Sequence, residues 1–366
     1  MARITFVTLS LQRGGAEGVI ARLCNDELIK NHEVNIVMCM CREVQYELDQ
    51  RIRLFRVDDG EIQYANMASR FAVRRKRLDA ILQELNSDVI ISFLPEPNFL
   101  VLSMRRKVGC PVIISVRNDP AREYANKAYN IMMKQLYPKA DGYVFQTEDA
   151  KAYFSCCNKI TDRGVVIPNA LTRSHENMTP VSQRKKSIVH VGRLDRQKNH
   201  KLLIDAFIDI ADKYPEYTLD LYGEGALEND LRKYIGTYAV EDRIIFHGNV
   251  KNLHEKIKDA SMFVLTSDYE GMPNALMEAL ALGIPCIATD CPCGGPKALI
   301  KHEHSGLLVP VGDQKALMSA MERLLDNRSE AEEMAKNAID SMHDYYADII
   351  HAKWAKYIED IIAKKD

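Results

Sequence analysis

The 366-residue chain contains no run of 18 uncharged apolar residues, so no segment reads as a membrane span. It has no Gly-x-x-x-x-Gly-Lys-Ser/Thr phosphate loop, no Asp-x-Asp pair and one tryptophan. The formal net charge is only −2, without the basic excess of a nucleic-acid-binding domain. Nine cysteines are an odd number, and adjacent Cys156–Cys157 and the Cys291-Pro292-Cys293 pair lack the two-residue spacer of zinc knuckles. No metal site is therefore expected. The apolar stretch Ile4–Leu11 is too short for a signal h-region, and reduced thiols in a cytoplasmic protein are the expectation.

What is present is the composition of a globular protein, 46% hydrophobic and 27% charged, in a chain too long for one core of about 250–300 residues. The small net charge hides an asymmetry: residues 1–170 hold 24 Lys+Arg against 20 Asp+Glu, and residues 171–366 hold 25 against 31. Short β-branched runs alternate with helical patterns throughout, the mark of βαβ units. The first series of strands is expected near Ile4–Leu9, Val34–Met40, Val89–Phe93, Val112–Val116, Gly142–Phe145 and Val165–Ile167. The second is expected near Ile188–Val191, Leu219–Tyr222, Ile244–Phe246, Phe263–Leu265, Cys286–Ala288 and Leu307–Val309. The polar segment Asn169–Lys186 separates the two series. The expected architecture is α/β: two doubly wound parallel-sheet domains, 1–170 and 171–344, with ligand sites at strand carboxyl ends in a cleft between them. A helix within 345–366, with Trp354, Tyr357, Ile358 and Ile361 on one side, is expected to pack back on the first domain.

The most informative stretch runs from Leu265 to Thr289. A strand ends near Thr266, a loop carries Glu270 and Gly271, and a helix is expected over Asn274–Leu282, stopped by Gly283. The helix N-terminus, around Asn274 and Ala275, is suited to an anion. Glu278, one turn inside, is suited to the paired hydroxyls of a ribose, and Glu270 to a second polyol; alternatively both belong to a solvated face. After the first strand of the second domain, Gly192 lets the chain turn, and Arg193 and Lys198 are two cations that a diphosphate needs; the alternative is a solvated basic loop. In the first domain Arg13-Gly14-Gly15-Ala16-Glu17 follows strand one. It is not Gly-x-Gly-x-x-Gly, yet its glycines let a ligand approach the backbone.

Taken in order, Gly14-Gly15-Ala16-Glu17, Val191-Gly192-Arg193-Leu194, Gly223-Glu224-Gly225, Phe246-His247-Gly248, Glu270 and Glu278 with seven residues between them, Gly283–Thr289 and Ser305–Pro310 resemble bacterial retaining glycosyltransferases of the GT-B fold, family 4 of the sequence classification. The resemblance covers essentially the whole chain. It implies a retaining, metal-independent hexosyltransferase using a nucleotide-sugar co-substrate and no other cofactor. Arg193, Lys198 and Glu270 would then be catalytic. Gly15, Gly248, Val250, Gly271, Asn274, Ala275 and Glu278 would join them in holding the donor, with Gly248 to Asn252 flanking the base. Many relatives carry a histidine after the strand that here ends Val116-Arg117-Asn118-Asp119. Its absence leaves Arg117 to a phosphate of donor or acceptor, or to a pairing with Asp119 or Glu123. Gly14, Arg117 and Asn118 are the candidate acceptor contacts.

The family's first domain often receives a lipid-linked acceptor at the cytoplasmic leaflet. Arg70, Arg74 and Arg77 fall on one helical face beside Phe71, Leu78 and Ile81, and that face is a candidate for docking on an anionic membrane; an ordinary solvated helix is the alternative. The run Thr289–Pro296 looks like that of transferases adding hexoses or N-acetylhexosamines to exopolysaccharide repeat units. A uridine nucleotide is therefore expected, with N-acetylgalactosamine first among the sugars. Two other readings share the architecture: a nucleotide-sugar epimerase or hydrolase, and an inactive partner subunit of a transferase.

Overall fold

Continuous β-branched runs such as Val89–Phe93, apolar on both faces, demand a sheet covered on both sides, and the chain builds two of them. A computed structural model describes residues 1–12, 14–60, 66–172 and 178–364. The chain divides into two units, Met1–Ala170 with Ala347–Asp366, and Leu171–Tyr346.

Unit 1 holds seven strands: β1 (Arg3–Thr8), β2 (Glu33–Met38), β3 (Arg53–Arg56), β4 (Val89–Phe93), β5 (Val112–Ser115), β6 (Gly142–Phe145) and β7 (Gly164–Val166). They lie parallel in the order β3-β2-β1-β4-β5-β6-β7. β3 is absent from the sequence expectation because Arg53-Leu54-Phe55-Arg56 has no buried face. It is an edge strand in register with β2 from Asn35↔Arg53 to Met38↔Arg56. Arg53 secures it by donating to Asn35 Oδ1 at 2.9 Å and Glu33 Oε1 at 2.6 Å.

The helix Ala347–Ala363 buries Ile350, Trp354, Ile358 and Ile361 in the core of unit 1. Trp354 stacks on Phe93 at the end of β4, ring centroids 5.8 Å apart. The helix Met67–Leu85 opens with a reciprocal cap between Asn66 and Ser69. It corrects one expectation. Arg74 does not share an exposed face with Arg70 and Arg77: it is buried, with Nη2 3.1 Å from Asp58 and Nη1 2.7 Å from Glu96. The helical phase that puts Leu78 inside puts Arg74, four residues earlier, inside as well. Arg70 and Arg77 are partly exposed and engaged by Glu96 and Asp59, at 3.7 Å and 2.9 Å.

Unit 2 holds β8 (Lys185–Val191), β9 (Thr218–Tyr222), β10 (Ile244–Gly248), β11 (Ala260–Leu265), β12 (Cys286–Thr289) and β13 (Leu307–Val309), parallel in the order β10-β9-β8-β11-β12-β13. The helices His200–Ile210 and Gln314–Asp326 bury the apolar faces that their spacing announces, Leu203, Ala206, Phe207 and Ile210 on one, Leu317, Ala320, Met321 and Leu324 on the other. From β8 the chain winds toward β9 and β10, and from β11 toward β12 and β13. The strand order thus reverses between β8 and β11, and ligands of doubly wound sheets bind beyond the carboxyl ends of such a pair.

Candidate functional site

Two loops leave the β8/β11 switch point, and they carry Lys198 and Glu270. After β8, Gly192 turns the chain; a Cβ there would stand 3.2 Å from Lys198 Cε and 3.1 Å from His190 Nε2, so the lysine stem lies against the bare backbone. Asp195 caps the short turn Arg196–Lys198, and Asn199 takes the left-handed conformation before starting the helix His200–Ile210. Gly223 and Gly225, after β9, support this loop: side chains there would meet Gly192 O at 2.1 Å and Leu194 O at 2.3 Å.

The loop after β11 is tied to the first. Asp268 N donates to Gln197 O at 2.8 Å, Asn199 Nδ2 to Asp268 Oδ1 at 2.9 Å, and Gln197 Nε2 to Tyr269 O at 2.9 Å. Thr266 Oγ1 donates to Lys198 O at 2.9 Å. At the centre Lys198 Nζ meets Glu270 Oε1 at 2.5 Å, both side chains largely buried. Ser267 Oγ donates to the same oxygen at 2.7 Å and Gln197 Nε2 approaches Oε2 at 3.4 Å. Lys198 is therefore a neutralised, positioned cation, and Glu270 is its partner before it is a ligand for any polyol.

The structure brings Lys198 and Glu270 into contact and leaves Arg193 apart from that pair. Arg193 is exposed, its side chain 76% accessible and 3.3 Å from Asp195. Gly271 and Pro273 are buried where they lead into the helix Asn274–Ala281, and Pro273 is its N-cap, with no side-chain hydrogen bond of its own to the first turn. Glu278, half-buried one turn inside, lies 3.3 Å from His254 Nε2. Gly248 has φ +62, Val250 packs against the adjoining core, and Asn249 N reaches Glu224 Oε1 at 3.4 Å. Nearby His247 stacks on Tyr222 at 4.4 Å and shares a 2.6 Å hydrogen bond with Asp220.

Beneath Lys198 two buried histidines meet edge to face, His190 and His200, centroids 4.5 Å apart. Burial, followed for His190 by the neighbouring His200 and for both by Lys198, holds His190 well below the usual imidazole value and, against the pull of Asp195, His200 down at about 4. Both are neutral at pH 7. No cluster among the described residues gathers three His, Cys, Asp or Glu side chains at metal-binding distance.

In unit 1, Gly14 is extended at φ −168 and precedes the helix Gly15–Leu23; Tyr46 Oη bonds its N–H at 3.0 Å and its carbonyl at 2.9 Å. Glu17 folds over the turn, with Oε2 2.3 Å from where a Gly14 Cβ would stand, so a carboxylate occupies the approach that an anion would need. Arg13 lies outside the described residues. Arg117 is buried at the end of β5 and donates to Asn169 Oδ1 rather than pairing with Asp119 or Glu123. Asp119 instead caps the turn at Ala121, and Asn118 is half-buried.

Sequence reasoning missed Gln197, Ser267 and His254. Gln197 and Ser267 flank expected residues, but only the pairing of two loops some 70 residues apart gives them work.

The two sheets, each with the order of a doubly wound fold, and the cationic switch point of unit 2 define a GT-B glycosyltransferase. The family described as Glycosyltransferase Family 4 matches residues 13–174, and that described as Glycosyl transferases group 1 matches residues 173–341. The chain belongs to this glycosyltransferase family. It is 28% identical, over 99% of both chains, to a Campylobacter jejuni GalNAc-α-(1→4)-GalNAc-α-(1→3)-diNAcBac-PP-undecaprenol α-1,4-N-acetyl-D-galactosaminyltransferase. Its fold matches sucrose-phosphate synthase from Thermosynechococcus elongatus over all of both chains, with a TM-score of 0.85 at 18% identity. It also matches Anabaena HepE in complex with UDP, over 98% of this chain and 100% of that one, with a TM-score of 0.83 at 16% identity.

Proposed function

We propose that the protein moves a hexose or N-acetylhexosamine, with retention of anomeric configuration, from a uridine nucleotide sugar to a lipid-diphosphate-linked glycan in bacterial surface polysaccharide assembly. The observation that carries this reading is the buried Lys198–Glu270 contact, 2.5 Å, at the β8/β11 switch point, in the loop that leads into the helix Asn274–Ala281. Glycosyl transfer develops positive charge on the sugar while negative charge gathers on the departing diphosphate. A fixed ammonium and a helix N-terminus stabilise that diphosphate without a metal, and they do so most where the charge is greatest. Arg193, exposed and paired with Asp195, is placed to swing onto the outer phosphate. Glu278 holds the ribose, Gly248 and Val250 border the base, Gly271 approaches the transferred sugar, and the leaving phosphate takes the acceptor proton.

The acceptor class is supported by the Campylobacter relative, whose name specifies a diphospho-undecaprenol glycan. Such an acceptor places the enzyme at a membrane surface, in this reading the cytoplasmic leaflet. No helix among the described residues is long and apolar enough to cross a membrane.

The test is release of nucleoside diphosphate from a panel of UDP- and GDP-sugars, with and without a short-chain polyprenyl-diphosphate glycan. Acceptor-dependent release from a UDP-sugar is expected, with Lys198→Ala and Glu270→Gln each losing about 10²–10³ in turnover. Wild-type turnover in Lys198→Ala overturns the reading.

A further inference from the structure

Unit 1 has a polar cluster of its own at the carboxyl ends of β5 and β6. Arg117 is 8% exposed. Its Nη2 donates to Asn169 Oδ1, its Nη1 lies 3.5 Å from Ser115 Oγ, and its guanidinium stands 5.4 Å from the centre of the Phe93 ring. Asn169 Oδ1 accepts a second bond from Gln146 Nε2 at 2.9 Å, which fixes the amide that holds the arginine. Among the described residues no carboxylate lies within 4 Å of Arg117, and its Nε has no partner. Burial, and after it the like charge of Arg22 in the helix Gly15–Leu23, pulls the Arg117 guanidinium down to about 9. Arg22 tilts toward the start of its helix, as long helical side chains do, with Nη1 3.3 Å from the place of a Gly18 Cβ. Its Nε is likewise buried and unpartnered, as is Gln146 Oε1.

Folds keep buried charges paired, and Arg117, buried with no carboxylate beside it and with the half-buried Arg22 as its charged neighbour, departs from that rule. The missing partner has a definite chemistry. It is anionic, it presents several acceptor oxygens to planar N–H forks, and it arrives from the strand carboxyl ends, where doubly wound sheets receive ligands.

We propose that Arg117 and Arg22, with Asn169 and Gln146 behind them, form a phosphate site in unit 1, and that its occupant is the diphosphate of the acceptor. The acceptor assignment rests on the transferase reading; the anion site does not. Arg117 and Arg22 bind and orient, and no bond is made or broken at them.

Trp354 stacks on Phe93, the ring under Arg117, so its fluorescence reports unit 1. Thermal unfolding of the full chain followed by this fluorescence, with inorganic diphosphate titrated in the presence of saturating UDP, tests the anion site. Diphosphate is expected to raise the wild-type midpoint, with binding weakened about tenfold or more in Arg117→Gln and in the milder Arg22→Gln and Arg117→Lys. An equal response in wild type and all three variants overturns the site. A kinetic arm separates the sources of phosphate. With a short polyprenyl-diphosphate glycan, Arg22→Gln is expected to raise the acceptor KM about tenfold and leave the donor KM unchanged. A rise in donor KM alone overturns the acceptor assignment. A wild-type enzyme that transfers nothing removes that assignment together with the transferase reading, and the diphosphate titration still decides the anion site.

Discussion

Lys198 depends on the residues that leave room for it. Gly192 admits its stem, and Glu270, held by Ser267, fixes its ammonium. The types and positions of Lys198 and Glu270 were legible in the sequence. Their contact was not, because it spans 72 residues and depends on how two loops pair after the strands are in register. The histidines below them were legible only as letters: nothing in Val189-His190-Val191 or Asn199-His200 says that both rings end up dry. That burial sets a pH dependence. Both folded-state values are lowered from 6.5, so the unfolded chain binds more protons as pH falls below 6.5, and the fold loses stability from there down to about 4 for His200. The stabilisation is complete above pH 6.5. Each histidine contributes a slope approaching ~1.4 kcal/mol per pH unit inside that window. Urea unfolding at pH 7.5 and 5.0 should show the loss, and His200→Gln should flatten it; an unchanged slope in that variant refutes the assignment.

Elements with a continuous apolar run or a clean helical stripe could be read in advance, and those without one could not. β4, β5 and β11 belong to the first group. β3 belongs to the second, since its stability comes from backbone pairing and from Arg53 on its neighbour, neither of which patterns a sequence. The helix Met67–Leu85 shows the limit from the other side: its basic face was visible, and the carboxylates that bury Arg74 come from distant segments. The helix Ala347–Ala363 yields a test at this scale. Ile358 is fully buried, so Ile358→Ala should cost unit 1 about 2–5 kcal/mol. Trp354 fluorescence should record a lower urea midpoint. A variant that unfolds with the wild-type midpoint would show that the helix contributes little to the core.

For the whole molecule, the sequence disclosed two sheets and their carboxyl ends, and the basic and acidic halves of the chain acquire different tasks. The acidic unit 2 concentrates cations at Arg193 and Lys198, and the basic unit 1 retains Arg117, buried with Arg22 as its charged neighbour. If UDP belongs to unit 2, UDP at 100 times its Kd should add about 2.7 kcal/mol to that unit. The calorimetric transition of unit 2 should rise while the Trp354 midpoint of unit 1 stays fixed; a shift confined to unit 1 would reverse the assignment. The helix Ala347–Ala363 has a further consequence, one of time. Unit 1 is begun by residues that precede unit 2 and finished by residues that follow all of it. On the ribosome, at about 5–20 residues per second, Phe93 must wait for Trp354 on the order of tens of seconds. During that interval Leu171–Tyr346 can complete its own sheet, and the nascent first unit carries an unfilled core, a natural point for a chaperone to hold it.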